Sequence, residues 1–205
     1  MQNPTRLYLL RHGEVEARYH RVFGGKIDME LSPLGHDQVK ALADYFRRHP
    51  PHVMYSSPMK RVQQTLAPLA QWTGLSPVVL PGLREVDFGV WTGLGWEQVY
   101  EKYKVSAFDW LKELEAGSIA EAEPTAHFRE RVENALQHIL AESPNKEVAV
   151  VAHGGVIRML LSLLLDVPFV RTGMFDVEYA SITKVKVAGS KREIELLNFC
   201  PWKDL

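Results

Sequence analysis

Three short, unbroken apolar runs limit the folds open to this chain: Leu7-Tyr8-Leu9-Leu10, Val53-Met54-Tyr55 and Val148-Ala149-Val150-Val151. Each is too short for a stable helix and shows no alternation with polar residues. A strand of this kind must be covered on both faces, which is the situation inside a parallel sheet packed between helices. The intervening segments supply those helices. Ser32-Pro33 pairs an N-cap residue with proline at the first helical position, and Leu34, Val39, Leu42, Ala43 and Phe46 continue at helical spacing until Pro50-Pro51. Ser57-Pro58 repeats that signature and predicts a second helix running to Trp72-Thr73-Gly74, kinked at Pro68.

Residues 78–95, rich in glycine and aromatic residues, read as loop around a short strand. Residues 96–115 read as broken helix, and the acidic stretch 115–124 as exposed. Residues 128–141 form an amphipathic helix with Val132, Leu136 and Ile139-Leu140 on one face. Residues 181–187 and 193–199, joined around Gly189-Ser190, read as a hairpin. The expected fold is α/β: a three-layer sandwich whose mostly parallel central sheet is flanked by helices, with an antiparallel edge strand near the C-terminus. One domain is expected over residues 1–205.

Charge narrows the partners. Twenty-four basic side chains stand against 25 acidic ones, for a net charge of −1, so the surface offers no general attraction to nucleic acid. The start of the chain meets Arg11 and His12 too early for a signal peptide, and the apolar stretch 156–165 is short for a membrane span and contains Arg158. A lone cysteine, Cys200, leaves no internal disulfide and no multi-cysteine metal site, and points to the cytoplasm. A small-molecule partner is expected, with neither nucleic acid nor membrane.

The chemistry gathers at the strand ends. Two of the apolar runs finish in the same phrase, Arg11-His12-Gly13 and His153-Gly154-Gly155. Ligands of open α/β sheets bind beyond the carboxyl ends of the strands, and glycines there let a ligand approach backbone N–H groups. Two imidazoles and Arg11 can therefore converge on one anion. Arg61, at the start of the helix after Ser57-Pro58, adds a cation where backbone N–H groups already favour an anion. Glu85, in the loop Leu83-Arg84-Glu85-Val86-Asp87-Phe88-Gly89, is a candidate proton donor.

In this order, Arg11-His12-Gly13-Glu14, Ser56-Ser57-Pro58 with Arg61 and Gln64-Thr65, Glu85 with Phe88-Gly89 and Trp91, and His153-Gly154-Gly155 resemble the histidine phosphatase superfamily, which includes the phosphoglycerate mutases. Gly24, Asp28, Leu31, Ser32, Gly35 and Gln38 resemble the segment after the family's first motif. The resemblance implies a phosphomonoesterase acting on a small phosphorylated metabolite through a phosphohistidine on His12. Glu85 would be the acid and base, and Arg11, Arg61, Gly154 and a protonated His153 would hold the phosphoryl group. Glu14, Arg18 and Gly24 would be supporting residues. No cofactor or metal is implied, because arginines supply the neutralisation, and a homodimer is compatible with it.

Two positions depart from the family pattern: Val15 and Arg18 stand where a hydroxyl and an amide are common, so Arg18 would supply positive charge instead. The chain's length points to the compact phosphatase branch. Phosphotransfer of the mutase type, and α-ribazole phosphate as the specific substrate, are the alternatives. Aromatic residues over 91–96 and 100–110 would line a wall above the phosphate or fill core.

Overall fold

The computed structural model describes residues 3–205. Its main elements, in order, are β1 (Thr5–Arg11), α1 (Pro33–Arg48), β2 (Val53–Ser56), α2 (Lys60–Thr73), β3 (Val78–Val79), α3 (Trp96–Tyr103), α4 (Trp110–Glu115), α5 (Thr125–Glu142), β4 (Glu147–Ala152), α6 (Gly154–Leu165), β5 (Ile182–Ala188), β6 (Lys191–Phe199) and α7 (Pro201–Asp204). The strands form one sheet in the order β3-β2-β4-β1-β5-β6. Pairings β2–β3, β2–β4 and β1–β4 are parallel, while β1–β5 and β5–β6 are antiparallel. The antiparallel element is thus a C-terminal hairpin, of which β5 lies directly against β1.

The two-faced apolar strands behave as their composition demands. Along β1, Leu7 and Leu9 enter the core shared with α5 and α6, whereas Tyr8 and Leu10 enter the one shared with α1 and α2. Along β4, Val148, Val150 and Ala152 join the first core, and Ala149 and Val151 the second. Period-two alternation therefore divides each strand between two helical layers. Burying the four side chains Leu7 to Leu10 contributes on the order of 1.5–3 kcal/mol each. No described helix is long and apolar enough to cross a membrane.

Helix starts confirm one cap and correct another. The Ser32 hydroxyl accepts from Gly35 N at 2.9 Å, with Pro33 in the first turn of α1. Ser57-Pro58 does not open α2, whose N-cap is Met59. The Asp28 carboxylate accepts from Lys60 N at 2.7 Å instead, which leaves the Ser57 hydroxyl to face the strand ends. The segment predicted as broken helix is α3, a 3-10 turn at Ala107–Asp109 and α4. Within the acidic stretch, Ile119 is buried and the remaining residues are largely exposed.

Candidate active site

Because β1 and β4 are parallel neighbours with Arg11 opposite Ala152, their carboxyl ends finish side by side. The two histidines that follow stand with ring centroids 5.3 Å apart, and both are buried. His12 Nδ1 lies 2.8 Å from Gly13 O. A carbonyl can only accept, so Nδ1 carries the proton and Nε2 keeps its lone pair. The Arg61 Nε–H is shared between two ring nitrogens, His12 Nε2 at 3.1 Å and His153 Nδ1 at 3.2 Å. Since His153 Nδ1 accepts, its Nε2 carries the proton and donates to Ser57 Oγ at 2.8 Å.

Electrostatics agree with these tautomers. Burial, followed by the nearby Arg61 guanidinium, pushes both imidazoles well below the ordinary histidine range. Burial and the adjacent guanidinium favour the neutral ring of His153, whose Nδ1 accepts from Arg61, over the protonated form that the resemblance implies for the phosphate-bound site. Arg61 is itself only 2% exposed, and burial lowers its pKa to about 10. Its Nη1 donates to Ile27 O at 2.8 Å and Nη2 reaches Gly25 O at 3.5 Å, which ties it to the 24–28 turn.

Arg11 donates through Nη1 to Val177 O at 2.7 Å and lies 3.9 Å over the Tyr179 ring. Its Nε is buried and makes no hydrogen bond among the described residues. A buried N–H without a partner costs about 1–3 kcal/mol, so this one signals a missing acceptor. Glu85 is fixed at the start of α6, where Oε2 accepts from Gly155 N at 3.2 Å and Oε1 from Val86 N at 3.1 Å. Its loop is held by Arg131, which donates to Gly82 O, Arg84 O and Glu85 O while pairing with Glu123 at 2.6 Å. A Cβ at Gly155 would meet Glu85 Oε1 at 2.5 Å, so only glycine there leaves the carboxylate where it stands.

Arg11, His12, Arg61, Glu85, Gly154 and Gly24 all line one cleft of about 420 Å³. His153 sits beneath it, against Arg61 and Ser57. Two expected supporting residues lie elsewhere. The Arg18 side chain is 69% exposed and pairs with Glu16. Glu14 accepts from Ser32 Oγ at 2.7 Å and sits 3.6 Å from His20, so it secures the α1 cap rather than the histidine pair. Between and beyond them the chain stays at the cleft, which Val15 and Tyr19 line, and Val15 bridges to Leu31. Of the aromatics, Trp91 is core, while Trp96, Phe108 and Trp110 line the cleft. A larger groove of about 840 Å³ shares Trp96, Ala107 and Phe108 with it but contains none of His12, His153 and Arg61.

Sequence reasoning missed the contacts of Ser57, Arg131 and Tyr179. Ser57 is legible as a hydroxyl at a strand end, but the proline after it reads as a helix start. The other two carry no local signal.

Fold and site together define an α/β protein with a cation-lined cradle beside an imidazole lone pair. The histidine phosphatase superfamily (branch 1) matches residues 7–199. A putative phosphoserine phosphatase 2 of Hydrogenobacter thermophilus is 30% identical over 193 residues, covering 94% of this chain and 95% of that one. The glucosyl-3-phosphoglycerate phosphatase of Mycobacterium tuberculosis is 31% identical over 170 residues, covering 80% and 76%. The native structure of a mycobacterial glucosyl-3-phosphoglycerate phosphatase superimposes with a TM-score of 0.83 at 26% identity, covering 96% of this chain and all of that one (100%). This chain belongs to the histidine phosphatase superfamily, and it is a phosphatase.

Proposed function

We propose that the protein hydrolyses a small phosphomonoester by way of a phosphohistidine on His12. One observation carries this reading. The unprotonated Nε2 of His12, which accepts only from Arg61 Nε–H, lies beside two guanidiniums, Arg11 and Arg61, whose hydrogen bonds go to carbonyls and ring nitrogens instead of carboxylates. Their charge is therefore left for a ligand.

In the first step His12 Nε2 attacks phosphorus, the N–P bond forms and the bond to the ester oxygen breaks. The phosphoryl oxygens take over the Arg61 Nε–H and the partnerless Arg11 Nε–H, two planar, permanently charged donors suited to an anion. Glu85, in its protonated form, gives its proton to the departing oxygen. In the second step Glu85 takes a proton from water, whose oxygen attacks phosphorus, and His12 leaves. A phosphate dianion in the cleft reverses the local field and favours a second proton on His153 Nδ1, adding a third donor when charge develops. Gly154 lines the cleft beside Arg11.

The substrate proposed is a phosphorylated metabolite small enough for the 420 Å³ cleft, its alcohol portion lying against Trp96, Phe108 and Trp110. Related enzymes are named for phosphoserine, glucosyl-3-phosphoglycerate and α-ribazole phosphates, and these head the panel to be tested. The lone, buried Cys200 supports a cytoplasmic setting.

The test is inorganic phosphate release from that panel, with p-nitrophenyl phosphate and 3-phosphoglycerate added, in wild type and His12→Ala. Release that disappears in the variant is expected. Isomerisation of 3-phosphoglycerate on addition of a bisphosphate, with no phosphate freed, would overturn hydrolysis in favour of phosphotransfer. Near wild-type turnover by His12→Ala would remove the phosphohistidine.

A further inference from the structure

Arg11 is held without a counter-charge. A carboxylate is the usual means of fixing a guanidinium, but it would cancel the charge a phosphoryl group needs. Here the flat face of Arg11 rests 3.9 Å from the Tyr179 ring centroid, and its Nη1 is spent on Val177 O. The face contact uses none of the five N–H donors, because the ring offers its quadrupole and accepts no hydrogen bond. The buried Nε–H is left without a protein acceptor, on a side chain that lines the cleft.

Tyr179 is fixed from both sides. Its carbonyl accepts from Trp202 Nε1 at 3.1 Å, and the next residue, Ala180, donates its N–H to His12 O at 3.1 Å. Ala180 adopts a left-handed backbone, φ 53°, which a non-glycine residue holds only when its surroundings impose it. The same ring stands 5.6 Å from the His12 ring and lines the cleft. One aromatic side chain thus touches both the guanidinium and the imidazole between which a phosphoryl group would sit.

We propose that Tyr179 is a positioning residue: its ring face sets the plane of Arg11 so that the Nε–H points at the phosphoryl oxygens with its charge intact. The proposal rests on the hydrolase reading above, yet it concerns anion binding and is tested separately from turnover. Inorganic phosphate is the probe, titrated calorimetrically into wild type, Tyr179→Phe and Tyr179→Leu, with kcat/KM for p-nitrophenyl phosphate measured in parallel. A desolvated cation–π contact corresponds to about tenfold in a binding constant, so Tyr179→Leu should weaken phosphate binding and kcat/KM by that factor. Tyr179→Phe, which keeps the ring, should stay within about twofold.

The same pair in an Arg11→Gln background separates positioning from mere structural support. With no guanidinium to hold, the Leu penalty should fall below about twofold, the signature of coupled residues. Equal losses in the Phe and Leu variants, no loss in Leu, or a full Leu penalty persisting without Arg11 would each overturn the proposal. Phosphate binding that follows Tyr179 in an enzyme that hydrolyses nothing would sink the hydrolase reading alone. No phosphate binding by wild type would sink both.

Discussion

Two neutral, buried histidines make the folded protein sensitive to mild acid, and the size of the effect can be worked out. His12 and His153 are held well below the ordinary imidazole value of 6.5 by burial and by Arg61. In the unfolded chain both regain that ordinary value and bind a proton as the pH falls. A depressed folded-state pKa means that the unfolded state binds more protons, so stability is fully present above about pH 6.5 and is lost as the pH drops below it. Each histidine then contributes a slope of about 1.4 kcal/mol per pH unit. A ring that stays neutral in the folded chain down to pH 5 contributes about 2 kcal/mol between pH 8 and pH 5, and the pair at most about 4. Against a typical total of about 5–15 kcal/mol, that is a large share. Urea unfolding at a series of pH values, in buffer without phosphate, measures it directly. His153→Gln should remove about 2 kcal/mol of the pH-dependent loss, and His12→Asn/His153→Gln at most about 4. Comparison with the variants cancels the six other histidines and the carboxylates, which both chains share. A wild-type loss below about 1 kcal/mol over this range, or the same loss in the double variant, would refute neutral burial of the pair.

Other outcomes follow from single contacts. Glu85→Gln should slow hydrolysis of alkyl phosphates by about 10²–10⁴-fold and p-nitrophenyl phosphate far less, since the nitrophenolate leaves without a proton; equal losses in the two rate assays would exclude the acid role. Gly155→Ala should imitate that variant, because the new Cβ would lie 2.5 Å from Glu85 Oε1 and a flexible carboxylate yields before a helix does. Its kcat should fall at least tenfold with a melting temperature close to wild type, and an unchanged kcat would show that the Glu85 position is not critical. Ser57→Ala strips the acceptor from the buried His153 Nε2–H, present at 2.8 Å, and should cost about 1–3 kcal/mol in urea unfolding. Ser57→Thr should restore most of it.

What could be read before folding was whatever a short stretch of chain decides for itself. The apolar runs fixed which segments are strands, and the glycines after His12 and His153 marked both strand ends as places where a ligand can approach. Adjacency of the two rings followed once the runs were recognised as parallel neighbours. The misreadings have one physical origin. A hydroxyl after a strand is equally able to cap a helix or to accept from an imidazole, and only the arrival of His153 from 96 residues away decides for the second. Asp28, 32 residues before Lys60, had by then taken the capping work that Ser57-Pro58 seemed to claim. Proximity in sequence misled in the other direction: Glu14 and Arg18 follow His12 closely, but Glu14 accepts from Ser32 and Arg18 pairs with Glu16. Arg131 looked like one more polar residue on an amphipathic helix, and Tyr179 like the approach to a hairpin. Their partners lie 46 residues away at Glu85 O and 168 residues away at Arg11. The atoms expected to meet phosphorus were thus legible as motifs, whereas those that set tautomer, plane and loop position depend on contacts that exist only in the folded chain.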